Sequence, residues 1–321
     1  MRNNKNNRIN NNGNNCATLK KHLQEIENKG YTIIKKCIAK KECKSLIYQT
    51  LLPIINKKGI YLNNKKSYEK YLDGVMLWGE NYGHIIPRTS KHFRFRALFD
   101  SEYLNNLLNL YHNRNYCKEH NCNHICNCNN NFNKNQSSKW EYNYLAKEGL
   151  GWIHLRFPYF DYNNYSAHIQ ESIPNCFHLD NLILPSNINY ELEPNYSNNN
   201  NNNDNGNNDY NNYYNNYIID EKQSLIIIPY ITTVKDKGGG TVVIEESHKK
   251  VQEHLITKGN NNIEKLIEDI SDNLSHKLNI KEITAEQGDV LIMHPYLIHS
   301  SSYADVNSKT RILFNLSVQT K

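Results

Sequence analysis

The chain has no run of about 18 consecutive apolar residues, so no segment of it reads as a membrane span. Its first 15 residues, MRNNKNNRINNNGNN, lack the apolar stretch of a secretory signal. A long basic block is also missing. The formal charge of +6 is spread over 38 basic and 32 acidic residues, and no nucleic-acid groove is indicated. Regularly paired cysteines are absent too. Cys16, Cys37, Cys43 and Cys176 are scattered, while Cys117, Cys122, Cys126 and Cys128 crowd one stretch. Without a secretory signal, free thiols or a metal site are expected rather than disulfides. Together these absences point to an intracellular, cytoplasmic protein.

What the chain has in excess is asparagine: 55 of 321 residues, concentrated in residues 1–15, about 113–138 and about 195–217. Such tracts cannot bury enough apolar surface to order themselves. The expected organisation is an Asn-rich disordered tail at 1–15 and a single domain over 16–321, with low-complexity insertions at 113–138 and 195–217. The residues outside the tracts suffice for one sizeable core.

Two textures follow one another. Residues 17–29 carry Leu19, Leu23 and Ile26 at helical spacing, with Gly30 as a stop. A strand is expected at 31–38, and a second amphipathic helix at 40–56 places Cys43, Leu46, Ile47, Leu51 and Ile54 on one face. A further helix is expected over 100–111. Beyond residue 139 come short apolar segments bounded by Gly, Pro or Asn: 151–160, 173–180, 224–234, 240–247, 288–295, 296–302 and 311–318. Helical patterns at 249–257 and 262–276 interrupt them. The spacing suits a β-barrel or sandwich with supporting helices, a mainly β (α+β) chain.

The chemistry-bearing residues sit on these short segments. In an extended strand, residues i and i+2 project to one face, so His178 and Asp180 can aim an imidazole nitrogen and a carboxylate oxygen at one point. Such a pair supplies two ligands of a 2-His-1-carboxylate site, which leaves positions open on iron(II). Chance yields about 0.5 such pairs in a chain of this composition, and a histidine hydrogen-bonded at a strand end is the bland alternative. Downstream stand His294, His299 and Arg311. Over 311–318, Ile312, Phe314, Leu316 and Val318 form an apolar face, while Arg311, Leu313, Asn315 and Ser317 form a mixed one. An arginine opening the mixed face suits a guanidinium directed into a cavity, where its fork can bind a carboxylate. The alternative is an exposed arginine on a surface strand.

This combination resembles the phytanoyl-CoA dioxygenase family of iron(II)/2-oxoglutarate-dependent oxygenases. The resemblance is carried by LQEIENKGYTIIKKCIAKKECKSL, by GWIHLRFP followed by CFHLDN, by GGGTVVIEESHKK, and most specifically by GDVLIMHPYLIHSSS with Arg311. In the third segment Glu245 and Glu246 stand where the family has Pro-Gly. The resemblance implies a double-stranded β-helix, a jelly-roll or cupin-like barrel. It implies that His178, Asp180 and His299 bind Fe(II), and that Arg311, helped by Ser301, holds the distal carboxylate of 2-oxoglutarate. His294 competes as third ligand; His299 is preferred because its distance to Arg311 fits the family and because His294 precedes Pro295, where a strand breaks. Arg156 and Trp152 line the cavity or serve the structure, and His248 pairs with backbone near a turn. The implied partners are dioxygen and a small-molecule or lipid-type substrate. Two other readings stay open: a catalytically silent barrel that only binds, and a divalent-metal hydrolase using the same His/Asp/His site.

One further cluster is set apart from this scheme. His112, Cys117, His120, Cys122, His124, Cys126 and Cys128 lie within 17 residues. Their spacing does not match a regular paired CxxC pattern, so they form either a zinc site or an expanded loop.

Overall fold

A computed structural model of the chain describes residues 11–69, 98, 101–119, 140–142, 152–161, 177–180, 182–183, 218–219, 223–260, 262–273 and 279–320. The 195–217 insertion, the 113–138 insertion beyond Glu119 and most of the Cys/His cluster lie outside the described residues. No helix among the described residues is long and apolar enough to cross a membrane.

Helix α1 (Asn11–Lys29) begins inside the Asn-rich tract, earlier than the expected residue 17, because extending a helix already nucleated costs little per residue. Leu19, Leu23 and Ile26 are buried as the spacing implies. Gly30 ends the helix with φ +92°, and a side chain there would collide with Leu297 and His248. The expected 40–56 helix is α2 (Lys40–Ser45), a π-helical stretch (Leu46–Leu51) and α3 (Leu52–Lys57). Pro53, which has no N–H, sits in the first turn of α3, immediately after the stretch where the regular ladder widens. Helix α4 (Glu102–Glu119) runs past its expected end at 111.

The strands are β1 (Tyr31–Ile34), β2 (Trp140–Tyr142), β3 (Trp152–Arg156), β4 (Pro158–Phe160), β5 (Leu182–Ile183), β6 (Ile218–Ile219), β7 (Gln223–Pro229) and β8 (Thr241–Ile244). After α5 (Ser247–Lys258) and α6 (Ile263–Asn273) come β9 (Ile280–Ile283), β10 (Val290–Met293), β11 (His299–Ser301), β12 (Ala304–Asp305) and β13 (Arg311–Thr320). One sheet runs β1-β10-β7-β13-β2, with β3 also paired to β13; a second runs β11-β8-β9. All pairings in these two sheets are antiparallel.

The larger sheet is buried on both faces, which is why its strands read as continuous apolar runs. Leu225 and Ile227 of β7, Val290 and Ile292 of β10, and Ile312, Phe314, Leu316 and Val318 of β13 pack against the helices. The alternate residues Ile226, Ile228, Leu291, Met293 and Leu313 join Val243 and Ile283 of the smaller sheet. The period of two thus divides each strand between a helix-side core and an inter-sheet core. The chain is a set of antiparallel sheets with supporting helices, and the site lies between the two sheets.

Candidate metal centre and anion pocket

His178 and His299 are brought together by backbone. Of the expected strand over 173–180, the described residues 177–180 hold only an isolated bridge, in which His178 N donates to His299 O (2.9 Å) and His299 N donates to His178 O (3.1 Å). Residues opposite one another in an antiparallel pair share a face, and the two rings stand 4.6 Å apart. Two residues on from His178, Asp180 turns its Oδ1 toward both: 3.4 Å from His178 Nε2 and 3.5 Å from His299 Nε2. The donor atoms of these three residues lie within 4.8 Å of one another, a group that could hold a metal ion.

The outer bonds orient the donors. His299 Nδ1 lies 2.9 Å from Leu297 O. A carbonyl only accepts, so Nδ1 donates to it and Nε2 is the nitrogen left facing the cluster. Asn315 Nδ2 donates to Asp180 Oδ2 at 2.8 Å, which leaves Oδ1 for the centre. Burial by itself would raise the Asp180 carboxyl. The charge and hydrogen bonds of His299 and His178 overcome that and hold it well below the usual carboxylate range.

The three side chains border a cavity, partly open to solvent, that is lined by His154, Ile228, Thr241, Ser301, Arg311 and Leu313 beside the two histidines. Arg311, Leu313 and Asn315 all face it, as the mixed-face alternation of β13 implies. Asn315 touches the metal-type cluster; Arg311 stands four residues away along the same face, roughly 13 Å at strand spacing. Arg311 is 3% exposed. Its Nη1 donates to Gly239 O at 2.5 Å, and its Nε has no hydrogen-bond partner. Burial first, then the charge of Arg156, push its guanidinium down to about 9. A buried cation so placed gains strongly from an incoming anion.

The Gly238–Gly240 turn shapes this end. Gly239 has φ +77°, and a Cβ there would fall 2.9 Å from Arg156 Cδ and 3.0 Å from Ala304 Cβ. Glu282 pins the turn by accepting from Lys237 N (2.8 Å), Gly240 N (2.6 Å) and Ser302 Oγ (2.6 Å).

The structure separates the two rival histidines. His299 joins the cluster, whereas His294 lies against His248, with ring centroids 5.0 Å apart, and contacts Gln252 at 3.3 Å. His248 Nε2 donates to Glu27 O at 3.0 Å, a backbone contact as expected. Ser301 lines the cavity but also accepts from Arg156 Nη2 at 2.6 Å. His112, from the Cys/His cluster, is buried against Ser224 (3.3 Å).

His154 and Asn315 are site residues that sequence reasoning did not single out. The i, i+2 spacing of His154 and Arg156 on WIHLR is the signal that could have found the first. Burial, then the Arg311 charge, push His154 down to about 3, so it stands neutral.

Residues 182–312 match the family model for phytanoyl-CoA dioxygenase. The match spans about two fifths of the chain. The matched segment includes His299 and Arg311 and begins two residues after Asp180. No curated protein matches the sequence. Among solved structures, the chain is similar to AviO1 from Streptomyces viridochromogenes Tue57, with a TM-score of 0.47 at 10% identity over 94% of both chains. It is similar to the non-heme alpha-ketoglutarate-dependent carbocyclase SnoK from nogalamycin biosynthesis, with a TM-score of 0.45 at 12% identity over 94% of this chain and 83% of that one. A third is HygX from Streptomyces hygroscopicus, solved with nickel and 2-oxoglutarate bound: TM-score 0.39, 11% identity, 94% and 87% covered.

Proposed function

We propose that the protein is an iron(II)/2-oxoglutarate-dependent oxygenase acting on a small-molecule or lipid-type substrate. On this reading the two sheets are the halves of a double-stranded β-helix, and residues 16–321 form one oxygenase domain carrying the insertions at 113–138 and 195–217. The observation that carries the reading is the convergence of His178 Nε2, His299 Nε2 and Asp180 Oδ1 in a cavity that also holds the buried Arg311 guanidinium.

The donor set fits the group it is meant to hold. Two imidazoles and one carboxylate suit ferrous iron and leave positions for a bidentate 2-oxo acid and dioxygen. Bound iron and co-substrate would supply the oxidation, coupling decarboxylation of 2-oxoglutarate to succinate with attack on a substrate C–H bond.

The chain's own residues do the positioning. Leu297 O fixes the His299 tautomer, and Asn315 orients Asp180. Arg311 receives the distal carboxylate of the co-substrate, with Ser301 beside it on the cavity wall. Leu313, between Arg311 and Asn315 on the same face of β13, and Ile228 give the cavity wall apolar surface. A divalent-metal hydrolase would have no use for a buried arginine aimed at a second carboxylate, and Arg311 therefore favours the oxygenase.

The test is anaerobic loading with Fe(II) followed by 2-oxoglutarate. The expected result is a weak visible charge-transfer band together with slow succinate formation once oxygen is admitted. Iron uptake with neither the band nor succinate would refute the proposal.

A further inference from the structure

Of the three ligand-type residues, Asp180 has the least backbone support. His178 is held by its bridge to His299, whereas Asp180 stands in a turn two residues on. Leu179 between them anchors the segment. Its side chain is buried with Ile244, Val251 and Ile298, which turns its two neighbours the other way. That anchoring places the Asp180 carboxylate but leaves open which of its oxygens meets the histidines.

Asn315 decides that. Asp180 Oδ1 lies 3.4 Å from His178 Nε2 and 3.5 Å from His299 Nε2, while Oδ2 accepts from Asn315 Nδ2 at 2.8 Å. The two histidines keep the carboxyl ionised, so both of its oxygens can only accept. The group facing it must be the amide NH2, and the bond is charge-assisted. Asn315 is itself fixed from both sides. It pairs with Trp152 of β3, and the next residue, Leu316, pairs with Ile227 of β7. Its chain neighbours Phe314 and Leu316 are buried in the helix-side core. A well-held strand thus ties down one oxygen of a residue on a turn.

The tie matters because a carboxylate can ligate a cation through one oxygen or through both. With one, the three residues take three positions of a six-coordinate ion and leave three. A chelating 2-oxo acid fills two of these, and dioxygen needs the third. With both oxygens on the ion, only two positions remain, and co-substrate and dioxygen cannot be held together. Oδ2 is the atom that would have to swing in, and it is the atom that Asn315 holds.

We infer that Asn315 is a positioning residue that keeps Asp180 a one-oxygen ligand, so that the metal centre stays open to a chelating 2-oxo acid. The inference rests on the reading of the site as an iron(II)/2-oxoglutarate centre. It deepens that reading by making the openness of the centre, rather than its grip on the metal, the task of Asn315. Cutting a hydrogen bond behind a metal ligand ordinarily weakens metal binding about 10–100-fold. Here the sign differs: a freed Oδ2 becomes a further donor, metal binding holds, and the 2-oxo acid loses its place.

The experiment compares the full chain with its Asn315→Leu variant, which keeps the shape of the amide and lacks its donors. Mn(II) is titrated calorimetrically into the metal-free protein, and 2-oxoglutarate into the Mn(II)-loaded protein. The visible charge-transfer band is recorded anaerobically with Fe(II) and 2-oxoglutarate. Asn315→Leu is expected to bind Mn(II) within about fivefold of wild type or more tightly, and 2-oxoglutarate about tenfold more weakly or worse, with a weakened band. A larger loss of Mn(II) affinity would make Asn315 an ordinary support for a ligand and overturn the inference; so would unchanged 2-oxoglutarate affinity. If Asn315→Leu does not fold, Asn315→Ser, whose hydroxyl ends nearer the backbone than the amide, is judged by the same two titrations. Where only the variant departs from expectation, the co-substrate reading stands. If wild type takes up Mn(II) but binds no 2-oxoglutarate, that reading falls and takes this inference with it.

Discussion

Replacing Arg311 by methionine separates what the arginine does for a ligand from what it does for the fold. Arg311 is 3% exposed, makes one side-chain bond, to Gly239 O, and keeps an unpartnered buried Nε opposite a second cation. A buried cation with incomplete pairing is a liability to the unliganded protein, and replacing such groups by apolar residues of similar volume is often neutral or stabilising by about 1–4 kcal/mol. Against that stands the loss of the Gly239 contact, about 1 kcal/mol. The net expectation for Arg311→Met is unchanged or raised thermal stability. For 2-oxoglutarate the sign is opposite. Truncating one partner of a buried charge-assisted pair costs about 2–5 kcal/mol, and each 1.4 kcal/mol is tenfold, so affinity should fall roughly 30-fold to several thousand-fold. Arg311→Lys keeps the charge but not the fork and should lie between the two. The assays are thermal unfolding of the metal-free protein and calorimetric titration of 2-oxoglutarate into the Mn(II)-loaded protein. A well-folded Arg311→Met protein that binds 2-oxoglutarate as wild type does would falsify the assignment. A large drop in melting temperature would show that the guanidinium serves the fold instead.

Three other outcomes can be checked directly. Asp180→Ala should remove most iron binding, because both Nε2 atoms lose the oxygen they converge on; metal analysis finding one iron per chain in this variant would refute the ligand assignment. Burial depresses His112 to about 4 and His294 to about 3 from an unfolded value of 6.5. These groups therefore contribute stability that is fully present above pH 6.5 and lost as pH falls, about 2 kcal/mol for each between pH 7 and pH 5. Urea midpoints that stay flat over that range would contradict this, and His112→Phe should remove part of the slope. Glu246 has φ +68°, the left-handed region that costs a non-glycine residue about 1 kcal/mol or more. Glu246→Gly should thus raise stability by about 1 kcal/mol in chemical denaturation despite losing the exposed ion pair with Lys249; a fall would mean that the backbone there is not strained.

That last residue shows how far local chemistry could be read. In the resembled family Gly follows Pro at the 245–246 turn, and glutamate is a poor residue for the left-handed backbone that Glu246 adopts there. The chain makes the turn nonetheless, because Glu246 N donates to Lys29 O and Glu245 accepts from Tyr31 and Asn279. Tertiary contacts override a poor local preference. The Asn-rich start of α1 and the extension of α4 to Glu119 likewise escape composition arguments, because a tract poor in apolar residues still propagates a helix begun beside it.

Period-two alternation on β13 was determined by the sequence alone: Phe314 toward the helices, Arg311 and Asn315 toward the cavity. So was the pairing of His178 with Asp180, because i and i+2 share a face whatever else surrounds them. Only the tertiary structure decided which histidine completes the trio. His294 and His299 are five residues apart in one apolar stretch; Pro295 and the spacing to Arg311 favour His299, but which ring reaches His178 depends on packing. The backbone bridge from His178 chose His299, and the approach of α5 enclosed His294 with His248 and Gln252. The register of β3 on β13, which sets Arg156 opposite Arg311, was equally out of reach. Register between strands distant in sequence is a non-local quantity, set by how whole faces pack rather than by any residue's own preference.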